Sequence, residues 1–458
     1  MNFDRRAIAA PTRELANWVA TLGYDDLPQR TRDVTRIALL DTLGAGLYGF
    51  NTPWTQKLLT WVKRGGSGTE SRVWGEAGVT LRSADAALVN GVAVHAFELD
   101  DYHNAKLHCG AAVIPAALAV AERLNSSGSE LLTAIAAGYE VMIRSSLALN
   151  PSAARLRGWH LTGVTGPFGA AAACAKLLKL NAEQTAWALG LGGTQGAGLW
   201  AFNADGTMSK RLHPGKAAHS GVLAAELAQL GFSGPTSIYE FDDGGVLKAF
   251  SDNSDPAPLT RDLGKVFHVD NNSIKPYCCC GSTHAYIDAA LALRKKLGAP
   301  WDTKKKVRVG TCKVVDVQCG FDYAPSSALN AQMSLRYAVA VSLVEGAALP
   351  AQFTDEKMND PAIVGLAQGL ELVPDPELDK LYPKDFAGWV AVEHNGKWER
   401  VDILNPTGSI HVPIDAAGIT EKFRGINPHL DSDAIAACAL AIEKHSAREL
   451  LDLLTSKR

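Results

Sequence analysis

An acidic, histidine-rich segment lies between two apolar stretches, residues 90–97 and 109–122, whose composition is typical of buried helices. The candidate chemical groups of this segment are Glu98, Asp100, Asp101, His103 and His108. Burying carboxylates and imidazoles is costly unless they are paired or take part in chemistry. Because imidazole titrates near neutral pH and can act as acid or base, the segment predicts a proton-transfer site.

Two other interpretations of this segment stay open. An acid-rich loop can be solvent-exposed, with carboxylates that cap neighbouring helices. Carboxylate and imidazole groups also suit divalent metal ions. Because the spacing contains no His-Glu-x-x-His pair or other defined metal motif, we predict no metal site.

Two further segments combine histidine and basic residues near predicted helix starts. Residues 157–160 read Arg-Gly-Trp-His before an apolar pattern, so His160 either lies at the mouth of a pocket or has a structural role. Residues 208–221 place basic groups, among them Lys210 and Arg211, before a helix of small residues. That arrangement suits binding of anionic carboxylates, and a solvated basic turn is the alternative.

The stretch 274–284 contains three adjacent cysteines at 278–280. Adjacent thiolates cannot easily surround one metal ion, and the chain has no Cys-x-x-Cys pair, so metal binding by these thiols is disfavoured. The more plausible chemical groups of this stretch are Lys275, Tyr277 and His284.

Helical periodicity dominates the first 265 residues, which must position most of these groups. It predicts helices over residues 31–43, 129–149 and 166–180. Gly44 and Gly46 are expected to loosen the first helix, and Asn181 is expected to cap a further one. Because 129–149 and 166–180 are apolar on nearly every face, we predict a large helical core.

The sequence pattern changes near residue 266. Alternating residues predict a strand over 306–317, and the Asn-Gly pair at 395–396 predicts a hairpin between two alternating runs. Those runs are 389–393 and 397–403, and further helices are predicted at 285–297, 335–344, 419–423 and 432–454. The later part of the chain therefore indicates an α+β unit followed by a return to helix.

The chain of 458 residues is too long for one compact core, so we predict two domains in a mainly α fold. The large all-helical domain comprises residues 1–268 and 406–458, and the smaller α+β domain comprises 269–405. A net charge of −3 argues against a nucleic-acid partner. No uninterrupted apolar run reaches the roughly 20 residues that span a membrane. Eight dispersed cysteines and the absence of a signal-like N-terminus favour a cytoplasmic location.

Taken together and in order, these segments resemble the MmgE/PrpD family, which includes 2-methylcitrate dehydratase, cis-aconitate decarboxylase and iminodisuccinate epimerase. The resemblance covers nearly the full length. It rests on Leu-Asp-Thr-Leu-Gly at 40–44, the segment 90–101, Gly-Tyr-Glu-Val at 138–141, Lys210-x-x-His213-x-Gly215, Lys-Pro-Tyr at 275–277 with His284, and Ser-Leu-Arg-Tyr-Ala-Val at 334–339. The acidic segment and the Lys-x-x-His-x-Gly segment are the most specific of these.

The resemblance implies a large helical domain built from both chain ends and a smaller α+β, lid-like domain inserted between them. It also implies a homodimer without a cofactor, with an active site in a cleft between the domains. Four positions depart from the family pattern: Glu98 replaces a frequent Asp, Tyr102 a frequent Thr, Cys109 a common Pro, and Arg336 a frequent Pro. These departures leave the exact substrate open.

The activity implied is that of a cofactor-independent lyase, which transfers a proton at a carbon next to a carboxylate of a small di- or tricarboxylate. A 2-methylcitrate dehydratase-like hydro-lyase is the leading prediction. The alternatives are an iminodisuccinate epimerase-like enzyme acting on an amino- or iminodicarboxylate, a cis-aconitate decarboxylase-like enzyme, and a non-enzymatic scaffold. A Rossmann-type oxidoreductase is disfavoured, because no strand precedes the glycines at 196 and 198.

Residue roles follow from the resemblance and from the need to stabilise a developing enediolate. The predicted catalytic residues are His108, His160, Lys210, Glu98, Asp101 and Tyr337. The predicted substrate-binding residues are Tyr102, His103, Arg211, Lys275, Tyr277 and His284. Lys210, together with Lys275 or Arg211, would bind substrate carboxylates and stabilise the charge, and His108 and His160 would exchange protons. Glu98 or Asp101 would orient a histidine, and a tyrosine (337 or 277) would donate a proton.

Overall fold

The computed structural model describes residues 10–66, 68–382 and 384–455, and these form mostly helices with a small sheet. The predicted mainly α class is therefore confirmed. The chain divides into two compact units. The first contains the described residues up to Ala96, Asp100–Asn272, and those from Asp415 onward. The second contains Phe97–Leu99 and Ser273–Ile414.

The first unit is a bundle of helices with one two-stranded ribbon. Its elements are α1 (Pro11–Thr21), α2 (Gln29–Phe50), α3 (Pro53–Lys63), β1 (Ser71–Arg72), β2 (Thr80–Leu81), α4 (Ser83–Val94), α5 (Cys109–Leu124), α6 (Gly128–Ala148), α7 (Pro151–Leu156), α8 (Leu161–Leu177), α9 (Ala182–Gly193), α10 (Phe202–Asp205), α11 (Ser209–Gln229) and α12 (Val246–Phe250). The chain end adds α20 (Ala416–Ile426), α21 (Ser432–Leu440) and α22 (Ala447–Thr455).

The core of this unit consists of helices that are buried on almost every face, notably α5, α6 and α8. Within the described part of the chain, only Gly128–Ala148 is long and apolar enough to cross a membrane, and 94% of its apolar window is buried inside the protein. Ser127 and Glu130 form a capping box that starts this helix, and the predicted Asn181 cap of α9 is confirmed. Packing among helices therefore stabilises these apolar segments.

Two predictions about helices of the first unit were wrong. Gly44 does not loosen α2, which continues to Phe50, because a Cβ at Gly44 would lie 2.9 Å from the Phe423 ring and only glycine permits that close packing. The predicted helix 432–454 is broken after Leu440. Ser446 and Glu449 exchange hydrogen bonds as a capping box, which starts a new helix at Ala447.

The second unit combines a four-stranded sheet with helices. Its elements are α13 (His284–Leu297), β3 (Val307–Thr311), α14 (Lys313–Cys319), α15 (Ala328–Met333), α16 (Leu335–Glu345), α17 (Asp355–Met358), α18 (Pro361–Gly369), β4 (Glu371–Pro374), α19 (Pro376–Leu381), β5 (Gly388–His394) and β6 (Lys397–Ile403). The strand order is β4-β3-β5-β6, with β3 and β4 parallel and the other pairs antiparallel. Helix α13 packs on β5 and β6.

The predicted hairpin of this unit is confirmed, and the predicted strand before it is only partly correct. Asn395 and Gly396 both have positive φ angles, of 52° and 74°, as a tight turn between β5 and β6 requires. The strand predicted over 306–317 ends at Thr311, and residues 313–319 are helical. Val315 and Cys319 are buried one helical turn apart while Val317 is 79% exposed, which is a helical and not an alternating pattern.

Candidate active site

Four histidines form a cluster in the first unit: His95, His108, His160 and His213. Neighbouring ring centroids lie 4.7 Å apart for His95 and His108, 6.0 Å apart for His95 and His160, and 5.1 Å apart for His160 and His213. His95 directly follows α4, His108 precedes α5, His160 precedes α8, and His213 lies in α11. The site thus forms where the ends of three helices meet the first turns of a fourth.

Asp100 supports the first two imidazoles of this histidine cluster. Its Oδ2 lies 2.7 Å from Nδ1 of His95 and 3.4 Å from Nδ1 of His108. Burial would raise the pKa of Asp100, but the two imidazoles hold it well below its usual value. Burial lowers the pKa of His95 to about 4. Since the carboxylate accepts, Nδ1 of neutral His95 has the hydrogen, and no described residue hydrogen-bonds to its Nε2.

His108 is held in a defined tautomer by the backbone. Its Nδ1 lies 2.9 Å from the carbonyl oxygen of Asp101, which can only accept, so this nitrogen donates. The backbone N–H of His108 donates to Oγ1 of Thr162 at 3.2 Å. In its neutral form His108 therefore has a lone pair on Nε2, and the half-buried ring can accept a proton there.

His160 is almost completely buried and hydrogen-bonds to a second histidine. Its Nδ1 lies 2.9 Å from Nδ1 of His213, and its backbone N–H donates to the carbonyl of Gly198 at 3.0 Å. The rings of Trp200 and Phe202 flank it at 5.6 and 5.5 Å. Burial lowers the pKa of His160 well below its usual value, and the neighbouring basic groups lower it further.

Lys210 supplies positive charge beside these histidines. Its side chain is buried in the first turn of α11, and its charge lowers the pKa values of His95, His160 and His213. A helix start at Ser209 means that the basic residues lie inside α11, and not before it as predicted. A buried ammonium group next to neutral imidazoles is suited to binding an anion.

Close packing of two helices fixes the position of this lysine. A Cβ at Gly215 of α11 would lie 2.5 Å from the carbonyl oxygen of Leu88 in α4, and a Cβ at Gly91 of α4 would lie 2.8 Å from Cα of Gly215. Side chains at either glycine would push the two helices apart. The glycine of the Lys-x-x-His-x-Gly motif therefore determines how near Lys210 and His213 lie to the end of α4.

Asp101 contacts His108 through its backbone carbonyl, and its carboxylate has other partners. Its carboxylate accepts hydrogen bonds from the backbone of Gly110 at 2.9 Å, from Tyr139 at 2.7 Å and from Asn272 at 2.8 Å. Burial raises the pKa of this carboxyl group. The side chain therefore anchors the loop, whereas its backbone carbonyl orients His108. Tyr139, from the Gly-Tyr-Glu-Val motif, supports the site through this anchor.

Other residues predicted for the site have contacts of their own in the first unit. Nδ1 of His103 accepts from the backbone of Ala105 at 3.1 Å, and burial, followed by His268, lowers its pKa to about 3. His103 therefore has no described contact with the histidine cluster. Arg211 donates to the carbonyl of Ala96 at 2.9 Å and stacks on Trp54. Tyr102 is half-buried.

The second unit contains the remaining predicted residues, among which Glu98 and Lys275 form a buried ion pair. Nζ of Lys275 lies 2.9 Å from Oε2 of Glu98, and both side chains are at most 4% exposed. Glu98 has a φ of 57°, a backbone conformation that is unusual for a residue other than glycine. Gln332 donates to the carbonyl of Phe97 at 2.9 Å. The predicted carboxylate-binding lysine is therefore already paired with the predicted orienting acid.

The tyrosines and the histidine predicted in the second unit are also hydrogen-bonded. The hydroxyl of Tyr337 donates to the carbonyl of Gln352 at 2.6 Å, and that of Tyr277 donates to Asp288. Nε2 of His284 lies 3.4 Å from the carbonyl oxygen of Cys279, and its ring lies 5.3 Å from that of Tyr277. Burial raises the pKa of both tyrosines, so neither hydroxyl ionises near neutral pH.

His95, Asp100 and His108 have the residue types of a metal site, with one possible ligand atom each within 4.8 Å of the others. Both Nδ1 atoms, however, donate within the protein, one to the Asp100 carboxylate and one to the Asp101 carbonyl. An Nδ1 that donates leaves a lone pair on Nε2, an arrangement found both in acid–base histidines and in metal-binding histidines. All eight cysteines are buried free thiols.

Two family models match the chain. The MmgE/PrpD N-terminal domain matches residues 13–259, and the MmgE/PrpD C-terminal domain matches residues 277–446.

The chain belongs to the MmgE/PrpD family.

Relatives in this family align over most of their length. A cis-aconitate decarboxylase from Mus musculus is 32% identical over 432 residues, which cover 91% of this chain and 87% of that protein. One from Aspergillus terreus is 29% identical over 442 residues, or 92% and 90% of the two chains. The human protein of the same name is 31% identical over 377 residues, or 80% and 77%. The MmgE/PrpD family and these relatives indicate an enzyme of the lyase type.

Two members of the site in this MmgE/PrpD protein were not among the predicted site residues, His95 and His213, and Asp100 was a candidate group to which no role was assigned. His95 ends an apolar helical pattern and is naturally interpreted as part of that helix. The available signals were a histidine five residues before Asp100 and the histidine of the Lys-x-x-His-x-Gly motif. Neither signal indicates that His95 and His213, which are 118 positions apart, belong to one cluster.

Proposed function

We propose that this protein is a cofactor-independent lyase that acts on a small tricarboxylate of the cis-aconitate type. The observation that supports the proposal best is the histidine cluster beside the ammonium group of Lys210, in which hydrogen bonds fix the tautomers of His95 and His108. Loss of a substituent next to a carboxylate leaves an electron pair that needs nearby positive charge, and a proton must then be delivered or removed. This site offers both within one part of the first unit.

Decarboxylation is the first reaction that we propose, because the relatives reported above are named cis-aconitate decarboxylases. The bond between a carboxylate and its carbon would break, and carbon dioxide would leave. The electron pair would spread over the adjacent double bond while Lys210 stabilises the negative charge. The Nε2–H of His160 would then donate a proton to carbon, which leaves a five-carbon unsaturated dicarboxylate.

Dehydration of a hydroxytricarboxylate such as 2-methylcitrate is the second candidate. It is favoured by His95, whose Nε2 accepts no hydrogen bond from a described residue, and by His108, whose Nε2 has a lone pair in the neutral ring. Neutral imidazoles are suited to removing a proton next to a carboxylate. The proton would pass to Nε2, the carbon–oxygen bond would break, and the hydroxide would leave as water after protonation.

The test separates these reactions by their products. The purified protein is incubated in deuterated water with cis-aconitate, citrate and 2-methylcitrate, and products are followed by NMR and by release of carbon dioxide. Carbon dioxide from cis-aconitate supports the first reaction, and water loss from 2-methylcitrate supports the second. Deuterium exchange without loss of either group would indicate an epimerase. Neither turnover nor exchange with these acids or with iminodisuccinate would contradict the proposal.

A matched pair of variants connects activity to the histidine cluster. His108→Ala should abolish turnover, because it removes the half-buried imidazole at the start of α5. His429→Ala changes a histidine in the loop between α20 and α21 and should have no effect. Near-normal turnover by His108→Ala with intact substrate binding would remove the histidine cluster as the catalytic centre.

We further propose a homodimer in the cytoplasm, on the basis of the family resemblance and of eight buried free thiols. Light scattering of the purified protein under reducing conditions tests the dimer, and a monomer at micromolar concentration would contradict it.

A further inference from the structure

The hydrogen bond between His160 and His213 joins two imidazoles through the same type of atom. Nδ1 of each ring faces Nδ1 of the other at 2.9 Å. Two lone pairs at this distance would repel each other, so one hydrogen must lie between them. The tautomer of one ring therefore determines the tautomer of the other.

Each of the two arrangements gives His160 a different chemical character. When His160 donates through Nδ1, its Nε2 has a lone pair and acts as a base. When His213 donates, Nε2 of His160 has the hydrogen and acts as an acid. The difference between base and acid is thus set by the position of one hydrogen in the His160–His213 bond.

The two rings differ in burial. His160 is 2% exposed, whereas His213 is half-buried on α11. Burial and the surrounding basic groups, His95, His213, Lys210 and His108, lower the pKa of His160 well below its usual value, so a positive charge on this ring is unfavourable. The charged group that acts on His213 is Lys210, which lowers its pKa in addition to burial. His160 avoids a positive charge if its Nδ1 proton passes to His213 when its Nε2 takes up another proton.

The backbone around His213 leaves room for its ring. A Cβ at Gly198 would lie 3.2 Å from Nδ1 of His213, and the φ of Gly198 is 139°. The carbonyl of the same glycine accepts from the backbone N–H of His160 at 3.0 Å. Gly198 thus hydrogen-bonds to the start of α8 and leaves space for the imidazole of His213. The backbone therefore supports the contact between the two histidines.

We propose that His213 is a positioning residue that sets the tautomer of His160 and relays its proton to solvent. In one direction, Nε2 of His160 takes a proton from substrate, Nδ1 of His160 passes its own proton to Nδ1 of His213, and Nε2 of His213 releases a proton to water. The reverse sequence delivers a proton to substrate. In both directions the number of protons is conserved and neither ring stays charged. The inference rests on the proposed function, because it assigns a role in the same reaction.

The test uses His213→Ala, with His219→Ala on the same helix as control. His219 is half-buried like His213 but lies near Lys216 and Asp85, outside the histidine cluster. We expect His213→Ala to lower kcat for cis-aconitate by about 100-fold while KM changes little. Added imidazole should fill the vacated space and restore turnover in a saturable way, and His219→Ala should show neither loss nor rescue.

Several outcomes would overturn the relay. These are unchanged kcat in His213→Ala, and a loss in a protein of normal circular dichroism that imidazole does not restore. If Ala at this position prevents folding, His213→Asn tests the same point, because its amide keeps a hydrogen bond to His160 but cannot relay a proton. A kcat equal to wild type in His213→Asn would contradict the proposal.

A readout without turnover keeps this inference distinct from the proposed function. In protein labelled with ¹⁵N-histidine, the shared ring N–H should give a resonance protected from solvent exchange, which His213→Phe removes and His219→Ala retains. If wild type converts none of the acids, the proposed function fails, while this resonance still decides whether the two tautomers are coupled. Its absence in wild type would overturn the coupling.

Discussion

Asp100 accepts a hydrogen bond from Nδ1 of His95 at 2.7 Å, and neither side chain is accessible to solvent. The contact fixes which nitrogen of His95 has the hydrogen and directs its lone pair to Nε2. Since burial lowers the pKa of His95 to about 4, the ring is neutral at pH 7 and its Nε2 can accept a hydrogen bond. A carboxylate behind an imidazole thus gives the site an acceptor nitrogen that needs no prior loss of a proton.

We expect Asp100→Asn to lower kcat by roughly 100-fold, because an amide can donate as well as accept and no longer specifies the tautomer of His95. The measurement is turnover of whichever polycarboxylate the wild type converts. Asp25→Asn, at a fully exposed aspartate, is the control and should match wild type. Equal rates in the two variants would show that Asp100 does not determine the state of His95.

Tyr139→Phe should cost about 2 kcal/mol of unfolding free energy, because it removes a buried hydroxyl that donates to the Asp101 carboxylate at 2.7 Å. Tyr239→Phe is a matched control in the same core, since its hydroxyl meets the uncharged hydroxyl of Ser145 at 2.6 Å. That loss should be about 1 kcal/mol. Urea unfolding of both variants measures the difference, and a larger loss for Tyr239→Phe would contradict the anchoring role of Asp101.

Stability should depend on pH through buried neutral histidines such as His103, whose pKa is lowered to about 3. Below about pH 6.5 the unfolded chain binds a proton at this residue that the folded protein does not, so this residue's contribution to stability falls as the pH falls. Burial acts in the opposite direction on Asp41 and Glu140, whose pKa values are raised to about 6 and about 7. Folding takes up protons at these two acids, which offsets part of the histidine effect.

A variant isolates the histidine contribution. His103→Asn keeps an acceptor for the backbone N–H of Ala105 but cannot be protonated. Between pH 6 and pH 4 its unfolding free energy should fall less steeply than that of wild type, by up to about 1.4 kcal/mol per pH unit. Urea midpoints at pH 7, 6, 5 and 4 provide the comparison, and parallel curves would show that His103 is not kept neutral by burial.

The sequence predicted local structure where a single local signal decides it. Asn395 and Gly396 were sufficient for the hairpin, because few residues tolerate two successive positive φ angles. The helix at 313–319 was missed, because two valines at 315 and 317 fit an alternating pattern until their different exposures are known. Strand and helix can be told apart there only by which valine is buried in the folded protein, and the sequence does not give that information.

The candidate site shows the same division between local and tertiary information. Residue types near 100 indicated proton transfer, yet the sequence could not separate His95, which joins the cluster, from His103, which turns back to Ala105. The contact of His160 with His213, 53 positions later, depends on which face α11 turns toward the start of α8, that is, on the rotational phase of α11. Helix packing determines that phase, so no spacing rule within one segment reveals it.

Gly215→Ala should reduce both stability and activity, because the added Cβ would lie 2.5 Å from the carbonyl of Leu88 and 2.6 Å from Cγ2 of Val92. Neither α4 nor α11 can give way within a close-packed core without moving Lys210, so we expect a loss of roughly 2 kcal/mol. Gly365→Ala in α18 is the control, since nothing lies within 4 Å of its added Cβ. Alanine should stabilise that helix by about 0.5–1 kcal/mol. Thermal unfolding and kcat are measured for both, and a Gly215→Ala protein with wild-type kcat would show that this helix contact does not position Lys210 and His213.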